Sequence, residues 1–90
     1  MSEKIIHIVD ENRFVINIDK VQAMQSYEII IDPSKTSAGR CNFDSTFVPN
    51  ELRGRGLAEK LVRHGLNWAK SQNLQIEASC WYVQKFLTST

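Results

Sequence analysis

Only two cysteines, two histidines and two prolines occur among the 90 residues. Cys41 and Cys80 have neither the spacing of a metal-binding pair nor the number for a disulfide framework. His7 and His64 stand alone, so no metal site is expected. No apolar run approaches the length of a membrane span, and Met1-Ser2-Glu3-Lys4 does not lead into an apolar segment with a small-residue cleavage site. The expectation is a cytoplasmic protein with reduced thiols and no membrane partner. A marked excess of one charge is also missing: the net charge is +1, which gives no reason to expect nucleic acid as a partner. The Gly-Lys-Ser/Thr phosphate loop and the dinucleotide fingerprint are both absent.

What is present is ordinary in amount and uneven in placement. Hydrophobic residues make up 42% and charged residues 23%, values of a globular protein. The length suits one domain over residues 1–90 with a modest core, as a monomer or a homodimer. Residues 1–50 carry five Lys/Arg against seven Asp/Glu, and residues 51–90 carry six against three. The basic half fits an anionic small ligand as well as a solvated helix face.

The first half reads as strands. Ile5–Val9 and Arg13–Ile18 flank a turn at Asp10–Asn12, and Asp19-Lys20 is a second tight turn. Val21–Ile31 forms a third strand with Tyr27, Ile29 and Ile31 on one side. Asp32–Gly39 has loop composition, and Arg40–Val48 is a fourth strand closed by Pro49. The period then changes. Leu57, Leu61, Val62, Gly65, Leu66, Trp68 and Ala69 recur at helical spacing over about 56–72, and Asn73 is a left-handed stop. Leu74–Ala78 alternates as a fifth strand. Residues 81–87 space Val83, Phe86 and Leu87 as a short helix, with Ser79 available as its cap. The order is β-β-β-β-α-β-α, an α+β fold.

The most informative stretch is Phe47 to Val62, where a strand enters a Gly/Arg turn that opens directly onto the long helix. A helix start carries unpaired N–H groups and partial positive charge, which suits a phosphate. Gly54 and Gly56 allow close main-chain approach, and Arg53 and Arg55 add full charges. The same residues also occur in ordinary loops, and either arginine could be solvated or paired with Glu51 or Glu59.

Element order and residues together resemble the GNAT-type acetyl-CoA-dependent N-acyltransferases, and most closely their small single-domain members. The superfamily motif Arg/Gln-x-x-Gly-x-Gly/Ala reads here Arg53-Gly54-Arg55-Gly56-Leu57-Ala58. Further likenesses are Arg13-Phe14, Thr46-Phe47-Val48-Pro49 and Ser79-Cys80-Trp81-Tyr82-Val83. Two departures stand out: Ser45 replaces a His common before the Thr, and Ala78 replaces a Pro before the Ser-Cys pair.

The resemblance implies a mixed, mostly antiparallel sheet. It also implies acetyl transfer from coenzyme A to an amine, with the coenzyme A pyrophosphate on the amides of Arg53, Gly54, Arg55, Gly56, Leu57 and Ala58. The pantetheine arm would lie along the main chain of Phe47 and Val48. The resemblance makes Tyr82 a candidate to protonate the leaving sulfur, or an ordinary packed aromatic. Cys80 is either an acyl-accepting nucleophile or pocket lining, and Cys41 is packing. Asp44, Thr46 through a water, and Ser45 by position are candidate bases, with Asp44 and Thr46 expected on one strand face. Transfer without any base is the simpler alternative. Two competing readings are a non-catalytic coenzyme A-binding module and an interaction protein using the basic helix.

Overall fold

The computed structural model describes residues 4–31 and 39–88. Five strands, β1 (Ile5–Ile8), β2 (Arg13–Ile18), β3 (Val21–Ile30), β4 (Arg40–Phe47) and β5 (Gln75–Ala78), form one sheet in sequential order. The first four pair antiparallel, and β5 joins β4 in parallel. Two helices complete the fold, α1 (Leu57–Ser71) and α2 (Trp81–Thr88). The expected order and class are therefore observed. Expected boundaries moved by a residue or so: Val9 enters a short 3-10 turn, Ile31 lies beyond β3 and is exposed, and Val48 lies beyond β4. The loop expected over 32–39 lies, apart from Gly39, outside the described residues.

α1 buries Leu57, Leu61, Val62, Gly65 and Ala69, the stripe expected from its 3.6-residue period. They meet Phe14, Ile16, Ala23, Tyr27, Cys41 and Phe43 from the sheet. Gly65 permits the close approach, because a Cβ there would lie 2.8 Å from the Phe43 ring. The helix ends as Asn73 predicts. Asn73 adopts φ 59°, its amide bonds Lys70 O, and the Leu74 amide bonds Ala69 O, the paired closure of a Schellman motif.

One irregularity positions the site. The β3–β4 register runs Tyr27 opposite Phe43, then Ser26 opposite Ser45, so Asp44 is the extra residue of a β-bulge. Without it, alternation would place Asp44 and Thr46 together. With it, Phe43 and Thr46 stand opposite Tyr27 and Gln25, on the side of the helices. Asp44 instead receives the Ser26 hydroxyl at 2.5 Å. The expectation that Asp44 and Thr46 share a face is corrected by this bulge, and Asp44 is removed from the candidate bases.

Candidate active site

The parallel ladder between β4 and β5 stops at Phe43 opposite Ala78. Just beyond it the chain is pinned twice: Ser79 N donates to Asn42 Oδ1 at 2.9 Å and Cys80 N donates to Phe43 O at 3.2 Å. It then turns into α2, while β4 runs on through Thr46 and Phe47 without a β5 neighbour. Between the diverging segments and the start of α1 lies a cleft of about 480 Å³. Thr46 and Val48 supply one wall, Arg53, Gly54, Gly56 and Ala58 a second, and Cys80, Trp81 and Tyr82 a third.

The turn before α1 is built to stay open. Gly54 and Gly56 hold φ of 85° and 74°, the left-handed region that favours glycine. A Cβ at either would meet nothing within 4 Å, so backbone conformation and free space, not packing against the protein, call for glycine here. The first backbone bond within α1 runs from Lys60 N to Gly56 O, and no side chain caps the helix. The amides of Leu57, Ala58 and Glu59 thus have no intrahelical acceptor. The Arg53 amide is spent on Asn50 O. These residues fit the pyrophosphate of coenzyme A, a diphosphate that needs several convergent N–H donors.

Of the predicted cofactor residues, Val48, Arg53, Gly54, Gly56, Leu57 and Ala58 line the cleft. Arg55 is exposed and is not among the lining residues, and Phe47 is exposed, opposite Met24 across the β3–β4 ladder. All three predicted catalytic residues, Thr46, Cys80 and Tyr82, come together in the cleft. Ser45 is exposed and does not line it. Cys41 is fully buried, as expected for packing, and burial together with Asp44 pushes its thiol up to about 12.

Cys80, not Ser79, caps α2. The Cys80 carbonyl accepts from Gln84 N at 3.1 Å, which makes it the N-cap residue. The Ser79 hydroxyl instead bonds the Asn42 amide at 3.2 Å. Burial acts to raise the Cys80 thiol, but hydrogen bonds with the Thr46 side chain and with the main chain of Val83, Tyr82 and Thr46 leave it below the ordinary value. Burial, then the Glu59 charge, raises the Tyr82 phenol, which keeps it protonated at neutral pH.

Sequence reading missed Gln25. It is fully buried, the only such polar side chain among the described residues. Its Nε2 donates to Ser26 O at 3.0 Å and Ser45 O at 2.9 Å, satisfying carbonyls beside the bulge, and its Oε1 accepts the Thr46 hydroxyl. Thr46 Oγ1 in turn lies 3.6 Å from Cys80 Sγ. The available signal was period-two alternation in β3, which puts a lone amide between Ala23 and Tyr27 on the buried side. Glu59 and Trp81 also line the cleft; the sequence offered the first only as an arginine partner and the second only within the Ser79–Val83 likeness.

A GCN5-related N-acetyltransferase family model matches residues 13–90. A protein of Staphylococcus aureus described as GCN5-like superposes with a TM-score of 0.69 and 30% identity, covering 99% of this chain and 82% of that one. A ribosomal-protein-alanine N-acetyltransferase from Brucella melitensis shares the fold at a TM-score of 0.59 and 15% identity, covering 92% of this chain and 66% of that one. Protein NATD1 of Bos taurus is 40% identical over 42 residues, 47% of this chain, and the human protein of that name is 38% identical over the same length. The match spans only 37% of the length of either protein. Together with the open helix start and the cleft beside it, these likenesses place the chain in the GCN5-related N-acetyltransferase family.

Proposed function

We propose that residues 1–90 form one acetyltransferase domain that moves an acetyl group from acetyl-CoA to an amine. A single observation carries the reading: the uncapped start of α1 opens into the same cleft that holds Cys80 and Tyr82. The amides of Gly54 to Ala58 and the Arg53 guanidinium would hold the pyrophosphate, with Arg55 at the turn's outer side. The main chain of Phe47 and Val48, on the side of β4 beyond the end of the β5 ladder, would take the pantetheine arm as an added strand. Bound there, acetyl-CoA supplies an acetyl group activated as a thioester.

The chain's own residues do the rest. A phenol that keeps its proton at neutral pH has one to give, and Tyr82 lines the cleft, so in this reading Tyr82 protonates the leaving sulfur. Cys80 forms the wall beside it, and transfer to the amine is direct. Glu59, the one carboxylate among the lining residues, is bonded to Arg63 at 2.7 Å. Among the described residues lining the cleft no carboxylate is unpaired, so in this reading the amine loses its proton to water.

That same pairing of Glu59 favours a second reading, a coenzyme A-binding module without turnover. Calorimetry with coenzyme A and acetyl-CoA, followed by thiol release over a panel of amines, separates the two. Binding with thiol release supports the enzyme, and binding without release supports the module. Absence of binding to either compound overturns both.

A further inference from the structure

Three groups in a row, Gln25, Thr46 and Cys80, connect the buried sheet face to the cleft, and the direction of their hydrogen bonds is dictated by the chain. Gln25 Nε2 faces two carbonyl oxygens, Ser26 O and Ser45 O. Turning the amide over would set Oε1 against both, an arrangement of acceptors with no hydrogen between them. Gln25 Oε1 therefore points at Thr46, and the Thr46 hydroxyl hydrogen is given to it. A hydroxyl has one hydrogen. At the 3.6 Å contact with Cys80, Thr46 has only lone pairs left to offer.

We infer that Gln25 is a positioning residue: it turns the Thr46 hydroxyl so that oxygen, not hydrogen, faces Cys80, and thereby holds Cys80 as a thiol that donates its S–H to Thr46. The inference deepens the proposed function, since its interest rests on Cys80 lying in the acyl-transfer cleft. As a thiolate, Cys80 would face the Thr46 lone pairs, unless the hydroxyl turned and left Gln25 Oε1 buried and unsatisfied. Such a loss is costly in a dry interior. The main chain of Val83, Tyr82 and Thr46 favours the thiolate, as the Thr46 hydroxyl would if its hydrogen were turned to the sulfur; Gln25 Oε1 takes that hydrogen, so the sulfur sits between two opposed influences. Gln25 also denies Thr46 the role of base. Accepting a proton on Oγ1 would require passing one to an amide oxygen, which does not act as a base.

Other charged or titratable groups near the sulfur are few. Glu59, Arg53 and Tyr82 line the same cleft, from α1, the turn before it and α2 respectively. Lys85, one turn further along α2, lies over the Trp81 and Tyr82 rings. Asp44 of β4 is bonded to Ser26. Variants at Gln25 leave all of these in place.

The test is the pH dependence of iodoacetamide alkylation at Cys80, read by peptide mass spectrometry on the full chain without coenzyme A. In Gln25→Leu the Thr46 hydroxyl is released to donate to sulfur. Alkylation well below the thiol pKa should quicken about tenfold, one pKa unit. In Gln25→Glu an acceptor for Thr46 remains and no quickening is expected. Adding Thr46→Val to Gln25→Leu should abolish the gain. Equal rates in wild type and Gln25→Leu overturn the inference. Buried Cys41 reports folding in the same experiment, since it reacts only if the chain opens.

Should Gln25→Leu unfold, Thr46→Val decides through the infrared S–H stretch, assigned by difference against Cys80→Ala. The Cys80 band should move to the higher frequency of an S–H without an acceptor, and an unmoved band overturns the inference. Coenzyme A binding is measured separately. If it fails while the alkylation shift appears, the functional reading falls and the role of Gln25 stands; the reverse result removes only Gln25.

Discussion

The Arg53 guanidinium donates through Nε to the Val48 carbonyl at 3.1 Å, tying the turn before α1 to the end of β4. Arg53 also lines the cleft, beside a loop whose amides are open. Arg53→Ala should therefore weaken coenzyme A binding about ten- to hundredfold, the loss of a charged hydrogen bond together with its anchor. Arg55 is exposed and does not line the cleft. Arg55→Ala should cost less than about threefold, as expected of a solvated charge. Calorimetry of the two variants at low and at physiological salt checks both values; equal losses would contradict the assignment.

The glycines divide into two kinds, and stability separates them from binding. Gly65→Ala drives a Cβ to 2.8 Å from the Phe43 ring. Overpacking of this kind costs about 1–3 kcal/mol, partly offset by the roughly 1 kcal/mol gain in helix propensity. Urea denaturation should show the net loss, with coenzyme A affinity nearly unchanged in the folded protein. Gly56→Ala meets no neighbouring atom but must hold φ 74°. Its cost in stability should be about 1–2 kcal/mol, while affinity falls more steeply because the added methyl narrows the diphosphate's approach.

Tyr82→Phe should reduce turnover about 10²–10⁴-fold, the usual range for removing a general acid, with little change in coenzyme A affinity. Raised by burial and by Glu59, the phenol stays protonated beyond the ordinary tyrosine value. The wild-type rate should fall only at strongly alkaline pH, and that limb should be absent in the variant. By contrast, Cys80→Ala should retain most activity, and intact mass should show no acetyl group on Cys80 during turnover. Accumulation of an acetylated Cys80 that decays on adding amine would replace direct transfer by a two-step route.

Much of this was legible because local patterns carried it. The stripe from Leu57 to Ala69 fixed α1 and its buried face, and Asn73 marked its end, since both depend only on residues close in sequence. The Arg53–Ala58 turn was recognisable for the same reason. What escaped depends on pairing between distant segments. The bulge at Asp44 arises from the register of β4 on β3, and it alone puts Thr46 on the cleft side. Gln25 gains its role only from the carbonyls that the bulge presents. The cap of α2 was misassigned by one residue because Asn42, 37 positions before Ser79 in the chain, claims the Ser79 hydroxyl and amide.

On the edge strand β1, His7 should make stability depend on pH. Its ring stacks on Phe14 with centroids 4.1 Å apart, meets Trp68 edge-on, and shares a hydrogen bond with the Tyr27 hydroxyl at 2.5 Å. Burial, then the nearby His64, lowers its pKa from 6.5. The folded state thus holds His7 neutral at a pH where the unfolded chain would protonate it. Stability arising from this group is present above pH 6.5 and is lost as pH falls toward the lowered folded value. Urea midpoints taken between pH 7.5 and 5 should decline in wild type and decline less in His7→Gln. An identical slope in the two proteins would show that His7 titrates the same way folded and unfolded.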